Sequence, residues 1–168
     1  MEFSNIEILQ LPNISTLVFN KIHKDYLKVL LSTAILIFVI IFSVTFLLFT
    51  NIQELKDFEY LKYIYGALIF SFIFILAWLF IGFSRRKYVL RDKDVTYKSG
   101  VLIKTITTVP FTRIQHVEIN ESPLSRIFNL ASLNVFTAGD SSNDLVIKGI
   151  KKEEALKIKE FINQQING

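Results

Sequence analysis

No cysteine occurs anywhere in the chain, which removes disulfides, thiolate metal sites and a thiol nucleophile together and leaves the redox compartment unreadable from cysteine spacing. Histidine is nearly as scarce: His23 and His116 stand alone, in different regions. Catalytic signatures are missing too, with no Gly-rich phosphate loop, no His-Glu-x-x-His and no Gly-x-Ser-x-Gly. The expectation is a non-enzymatic protein with no catalytic residue, no cofactor and no metal site. Charge is missing from two long stretches, Val29 to Phe49 and Ile64 to Phe83, neither of which contains Asp, Glu, Lys, Arg or His.

Those two stretches account for a composition that is 51% hydrophobic and includes sixteen Phe, with a mean hydropathy of +0.42. At about 1.5 Å rise per residue, roughly 20 helical residues cross the ~30 Å hydrocarbon core of a bilayer. Both runs are apolar on every side, whereas a buried helix of a soluble protein keeps a polar stripe. The first begins too deep in the chain, at Val29, and lacks the small-residue cleavage site of a signal peptide, so it is expected to stay in the mature protein. The connection of about a dozen residues makes the pair an antiparallel hairpin. The chain therefore divides into an N-terminal segment 1–28, a transmembrane helix 29–49, a short extracytoplasmic loop 50–63, a second transmembrane helix 64–83 and a cytoplasmic domain 84–168.

Orientation follows from the flanking cations. Lys21, Lys24 and Lys28 precede the first span and Arg85, Arg86, Lys87 and Arg91 follow the second, while the loop between carries only Lys56 and Lys62. The positive-inside rule then places both termini in the cytoplasm, in the cell (inner) membrane. Tyr60, Tyr63 and Tyr65 suit the outer interface, and Trp78 also reads as an anchor. Ser32, Thr33, Ser43 and Thr45 in the first span, with Gly66, Ala67 and Ser71 in the second, allow close approach within the hairpin. A pore would need intramembrane charge or a broken helix, and the spans contain neither.

Before the first span, the run from Ser15 reads as a helix with Phe19, Ile22 and Tyr26 at spacings of three and four, lying along the inner surface or continuing into the span. After Ser84 the sequence turns to short β-branched or alternating runs between turn signals. Strands are expected at Lys87–Leu90, Val95–Ser99, Leu102–Val109, Ile114–Asn120, Ser132–Thr137 and Leu145–Lys148, paired as antiparallel hairpins. A final helix, Lys152–Ile166, places Ala155, Ile158, Phe161, Ile162 and Ile166 on one face. In so small a domain the core is marginal, and this helix is needed to cover the sheet.

The segment from Arg85 to Gly139 contains Pro110, Phe111, Arg113, Ile114, Gln115, His116, Val117 and Glu118 in one string, then Pro123, Leu124 and Arg126 at a turn, then Thr137, Ala138 and Gly139. With two N-terminal spans and a juxtamembrane basic run, this resembles the YdbS-like bacterial pleckstrin-homology (PH) domain family over roughly residues 25 to 166. The resemblance implies an α+β membrane protein: a transmembrane hairpin followed by a PH-like antiparallel β-barrel of about seven strands, capped by the C-terminal helix. It casts Pro110, Arg113, Gln115, His116, Glu118, Pro123, Leu124, Arg126, Thr137 and Gly139 as family-motif residues with structural roles. Two departures stand out, Ser122 where Gly is usual before Pro-Leu, and Asn129 where Gly is frequent. Asn tolerates a left-handed backbone better than other non-glycine residues.

His116 could act as a base beside Glu118, which shares its strand face, but with no nucleophile or metal partner in sight a structural hydrogen-bonding role is expected. Asp140, Asn143 and Asp144 lack calcium-loop spacing and read as an ordinary hairpin loop. Charge is more informative. From Ser84 onward there are fourteen Lys plus Arg against nine Asp plus Glu. Candidate membrane-surface or ligand-binding residues are Arg85, Arg86, Lys87, Arg91, Lys148, Lys151 and Lys152, with topology, headgroup anchoring and solubility as their plainer roles. No recognition helix, zinc site or aromatic-basic strand accompanies the charge, so nucleic acid is not an expected partner. The expected function is a membrane-tethered binding or scaffolding module that engages a protein partner, a homo-oligomer or lipid headgroups. A transport or export accessory subunit is the alternative.

Overall fold

The computed structural model describes residues 18–52, 60–138 and 145–167. In chain order the elements are β1 (Asn20–Lys21), α1 (Asp25–Asn51), α2 (Leu61–Arg85), β2 (Lys87–Leu90), β3 (Asp94–Ser99), β4 (Thr105–Pro110), a 3-10 turn (Phe111–Arg113), β5 (Ile114–Asn120), a short α3 (Pro123–Ile127), β6 (Leu130–Thr137), β7 (Leu145–Lys151) and α4 (Lys152–Asn167). Gly139, Asp140, Asn143, Asp144, Ser15 and Lys56 lie outside the described residues.

Seven strands are found among the described residues, in two antiparallel sheets with orders β1-β2-β3-β4 and β5-β6-β7. The seventh strand comes from an unexpected place. β1 precedes the first span and pairs with β2, Asn20 opposite Tyr88 and Lys21 opposite Lys87. The expected helix from Ser15 is therefore corrected within the described residues: the chain is extended at Asn20–Lys21 and becomes helical only at Asp25. Ile22 and Tyr26 recur at helical spacing because they drop into the core of the β-domain, not because they lie on a lipid surface. The membrane hairpin is thus an insertion between two neighbouring strands of one sheet. Its two ends must lie on the same side of any bilayer it spans.

The core joins Ile22, Tyr26 and Val29 to Val95, Leu130, Leu133, Val135, Ile147, Ile150 and Ile162, all buried. It is therefore not confined to residues after Ser84. On α4, Ala155, Ile158 and Ile162 are buried and Phe161 and Ile166 partly so, the face read from the periodicity. Phe161 meets Phe111 edge to face at 6.0 Å between centroids, a favoured aromatic geometry. Tyr88 of β2 donates a hydrogen bond to Glu154 Oε1, tying the four-stranded sheet to the same helix.

A bulge in β5 and a tight turn before β4 explain where two strand patterns break. In β5 the register slips between Ile114 and His116, leaving Gln115 as the extra residue, so Ile114 and Val117 both face inward despite odd spacing. The expected strand Leu102–Val109 starts later, at Thr105, because Gly100 takes φ +102° and turns the chain back on itself. A Cβ there would lie 1.8 Å from the Ile103 carbonyl oxygen. The two departures from the family string are accommodated. Asn129 adopts φ +53°, and Ser122 caps α3 by accepting a hydrogen bond from the Ser125 N–H at 3.2 Å with Pro123 in the first turn.

Across the hairpin, aromatic rings meet. Phe38 stacks on Phe72 at 4.1 Å, and Tyr65 lies 5.2 Å from Phe42 and 6.3 Å from Phe49. Gly66 faces open space, while the hydroxyls of Thr33, Thr45 and Ser71 turn back to carbonyls of their own helices.

Candidate functional site

The ends of both membrane helices on the domain side converge on Tyr26, which sits on a glycine of β7. β6 and β7 slip register between Ala131 and Ser132, which leaves Gly149 as the extra residue, at φ +82°. A Cβ on Gly149 would lie 2.4 Å from Cγ of Tyr26, so the Tyr26 ring rests directly on the glycine backbone. The Gly149 carbonyl accepts a hydrogen bond from the His23 N–H at 2.8 Å, one residue pair upstream of α1. Arg86, just past α2, donates to the Tyr26 hydroxyl at 3.3 Å, with its guanidinium carbon 5.7 Å from the ring centroid, a cation–π arrangement. Lys151 adds an ion pair with Asp25 at 3.7 Å and reaches the Phe128 carbonyl at 3.5 Å. The start of α1 and the end of α2 are therefore packed into the domain.

This junction sorts the basic residues singled out in the sequence. Arg91 is bound by both oxygens of Asp94, at 2.7 and 2.6 Å, and staples the β2–β3 turn. Lys152 pairs with Glu121 at 2.8 Å. Arg86 and Lys148 meet across a cleft of about 410 Å³ between α2 and β7, whose other walls include Trp78, Leu79, Tyr97, Val101 and Val146. Burial holds the Tyr97 hydroxyl above its ordinary titration range, so the group is neutral and available as a donor. Arg85 and Lys87 line a second cleft of about 200 Å³ with Ser84, Lys98, Ser99, Gly100 and Lys104. The two clefts flank the same β3–β4 loop and share Ser99 and Gly100.

The motif residues fall elsewhere. Pro110, Arg113 and Thr137 line a small cleft of about 180 Å³ where β4 meets the end of β6. The Arg113 carbonyl accepts a hydrogen bond from the Ala138 N–H. His116 stacks on Phe136 across the strand pair at 4.2 Å and lies 3.7 Å from Glu118. Stacking on an exposed face, not an enclosed hydrogen-bond network, is what the structure assigns to it. Leu124 packs on the core and Arg126 is exposed, 3.9 Å from Glu121. Among the described residues no group of three or more His, Asp or Glu side chains could hold a metal ion.

Tyr26, Gly149, Lys98 and Lys104 were not legible as site residues. Tyr26 reads as part of an N-terminal amphipathic run and Gly149 as the end of a strand. Lys98 and Lys104 lie in strands or their flanks, and only the Ser99-Gly100 turn signal brings them face to face.

Among known proteins, the chain is 28% identical over 78 residues to the transmembrane protein YdbS of Bacillus subtilis, covering 46% of this chain and 47% of that one. It is 24% identical over 136 residues to the transmembrane protein YdbT of the same organism, covering 71% of this chain and 26% of that one. The chain thus spans about half and about a quarter of these relatives' lengths. A crystal structure of a protein with a pleckstrin-homology domain from Shewanella loihica aligns with 50% of this chain and 73% of its own, at 22% identity and a TM-score of 0.39. The bacterial PH domain model matches residues 17–166, a span that opens just before β1, crosses both membrane helices and ends in α4, and the chain belongs to that family.

Proposed function

We propose that this protein is a non-enzymatic, membrane-tethered binding and scaffolding module that holds its PH-like domain against the cytoplasmic face of the membrane and presents it there to a protein partner. The observation that carries the reading is the seat of Tyr26 on Gly149, with Arg86 closing over it. A flexible tether would raise local concentration alone. A hairpin whose two ends share the domain core also sets the height and tilt of the domain, which is what a scaffold requires. The cations before α1 and after α2 support the cytoplasmic placement.

Crosslinking in intact membranes followed by affinity capture of the full chain tests this. A discrete protein, recovered in fixed ratio and lost when the domain is loosened by Gly149→Ala, is the expected result. Recovery of no crosslinked protein, with lipid alone retained, would overturn the partner assignment.

A further inference from the structure

The outer edge of β4 is open. Among the described residues β4 pairs with β3 alone, at one end of the four-stranded sheet. Which of its backbone groups face away follows from two hydrogen bonds. The Phe111 N–H donates to the Lys93 carbonyl at 3.0 Å, one step beyond the Asp94–Pro110 pair, and the Arg91 N–H donates to the Asp94 carbonyl at 2.9 Å across the opposite edge of β3. Antiparallel pairs alternate between bonded and non-bonded. Thr105, Thr107 and Val109 therefore turn their N–H and C=O groups to β3, while Ile106, Thr108 and Pro110 turn theirs outward. Pro110 fits this assignment, since a strand proline is tolerated where its missing N–H faces away from the ladder.

The same edge lacks the devices that keep an open strand from pairing. Native proteins blunt such edges with charged side chains, internal prolines or bulges. From Thr105 to Val109 every residue is β-branched and uncharged, and the register with β3 runs unbroken. Thr105, Ile106 and Thr108 are exposed, Ile106 at 44%. Charge stands only at the two ends. Lys104 precedes the strand, and Arg113 lines the cleft of about 180 Å³ beside Thr107, Thr108, Val109 and Pro110. Among the described residues Arg113 forms no ion pair with a carboxylate, in contrast to Arg91, and no acidic side chain lines that cleft.

We infer that the open edge of β4 is a docking strand for an extended acidic segment of a protein partner: the segment adds to the sheet through the outward N–H and C=O groups of Ile106 and Thr108, and a carboxylate at its end meets Arg113. Strand addition of this kind draws affinity from main-chain hydrogen bonds and selectivity from a few side chains. A second copy of the chain is the poorer occupant. Antiparallel pairing of two β4 strands would bring Lys104 of each copy toward Arg113 of the other, and like charges set against each other across an interface are unfavourable. The inference deepens the partner reading above and rests on it for the ligand being a protein.

Amide hydrogen exchange of the full chain in nanodiscs tests this, with two synthetic peptides as probes, acetyl-Val-Thr-Val-Thr-Val-Glu-Glu-amide and its counterpart ending in Gln-Gln. In the free chain Ile106 and Thr108 should exchange fast, and Thr107 and Val109 slowly. The acidic peptide should slow Ile106 and Thr108 roughly tenfold, the Gln peptide less, and Arg113→Gln should remove the difference. Ile106→Pro deletes an outward donor, leaves the β3–β4 ladder whole, and should abolish the protection of Thr108. An acidic peptide N-methylated throughout, unable to donate along a strand, should protect neither amide and makes the same test on the unaltered chain. No protection by the acidic peptide, or equal protection by the methylated one, overturns the docking strand. Equal protection by the acidic and Gln peptides overturns the role of Arg113. Slow exchange of Ile106 and Thr108 in the free chain that quickens on dilution into empty discs marks pairing of two copies and overturns the peptide reading. Protection by the probe with no protein recovered on crosslinking would sink the scaffolding proposal and leave the docking strand. Undiminished capture of a protein by the folded Ile106→Pro chain would sink the docking strand alone.

Discussion

Gly149 is the residue on which attachment of the hairpin depends. Its positive φ disfavours any side chain by about 1–2 kcal/mol, and a methyl group would collide with the Tyr26 ring. Overpacking of this kind adds about 1–3 kcal/mol. Gly149→Ala should therefore lower stability by roughly 3 kcal/mol, read from unfolding of the detergent-solubilised chain. Combined with Tyr26→Ala it should cost less than the sum of the two single changes, because removing the ring removes the collision. Strict additivity would mean that the two residues do not touch. Tyr88 makes a second prediction at this scale. Burial, then its hydrogen bond to Glu154, raises its pKa far above the ordinary 10.0. The folded state thus keeps the phenol neutral while the unfolded chain loses the proton near pH 10. The stability Tyr88 contributes is fully present below that pH and is lost as pH rises beyond it. Tyr88→Phe should flatten this alkaline loss and cost about 1.5–3 kcal/mol at neutral pH, the range for a hydrogen bond to a charged group.

At the scale of elements, local pattern proved readable and non-local pairing did not. β2 and β5 have the bounds their alternation suggests, and α4 buries the face its 3.6-residue period selects. Asn129 takes the left-handed conformation expected of an Asn standing where the family has Gly. β1 was hidden because two residues give no periodicity, and its partner lies across the whole hairpin. β7 was read as ending at Lys148 because the pattern breaks at Gly149. The break is a bulge, and the strand continues to Lys151. The basic residues were legible as a set, but sequence could not separate those neutralised by Asp94, Asp25 and Glu121 from those left facing a cleft. A fragment of residues 84–168 lacks β1 and the core side chains Ile22, Tyr26 and Val29. It should give a poorly dispersed amide NMR spectrum, and fusing residues 18–30 to it through a flexible linker should restore dispersion. A well-folded 84–168 fragment would mean that the N-terminal contribution is dispensable.

The whole molecule is a β-domain interrupted by a membrane hairpin. Because β1 and β2 are neighbours, the two helices leave and re-enter the same folded body, and the cations of Lys21, Lys24, Lys28, Arg85 and Lys87 all stand at the domain end of the hairpin. Membrane depth and domain orientation are then properties of one packed unit, with the Tyr26 seat as its joint. The absence of native cysteine permits the most direct test of that coupling, a pulsed-dipolar distance measurement between spin labels at Lys62→Cys, on the far end of the hairpin, and Glu160→Cys, on α4, in the full chain in nanodiscs. A single narrow distance distribution that broadens on adding Gly149→Ala is the predicted result. A broad distribution in the otherwise native chain would contradict the account, since it would make the hairpin a loose tether.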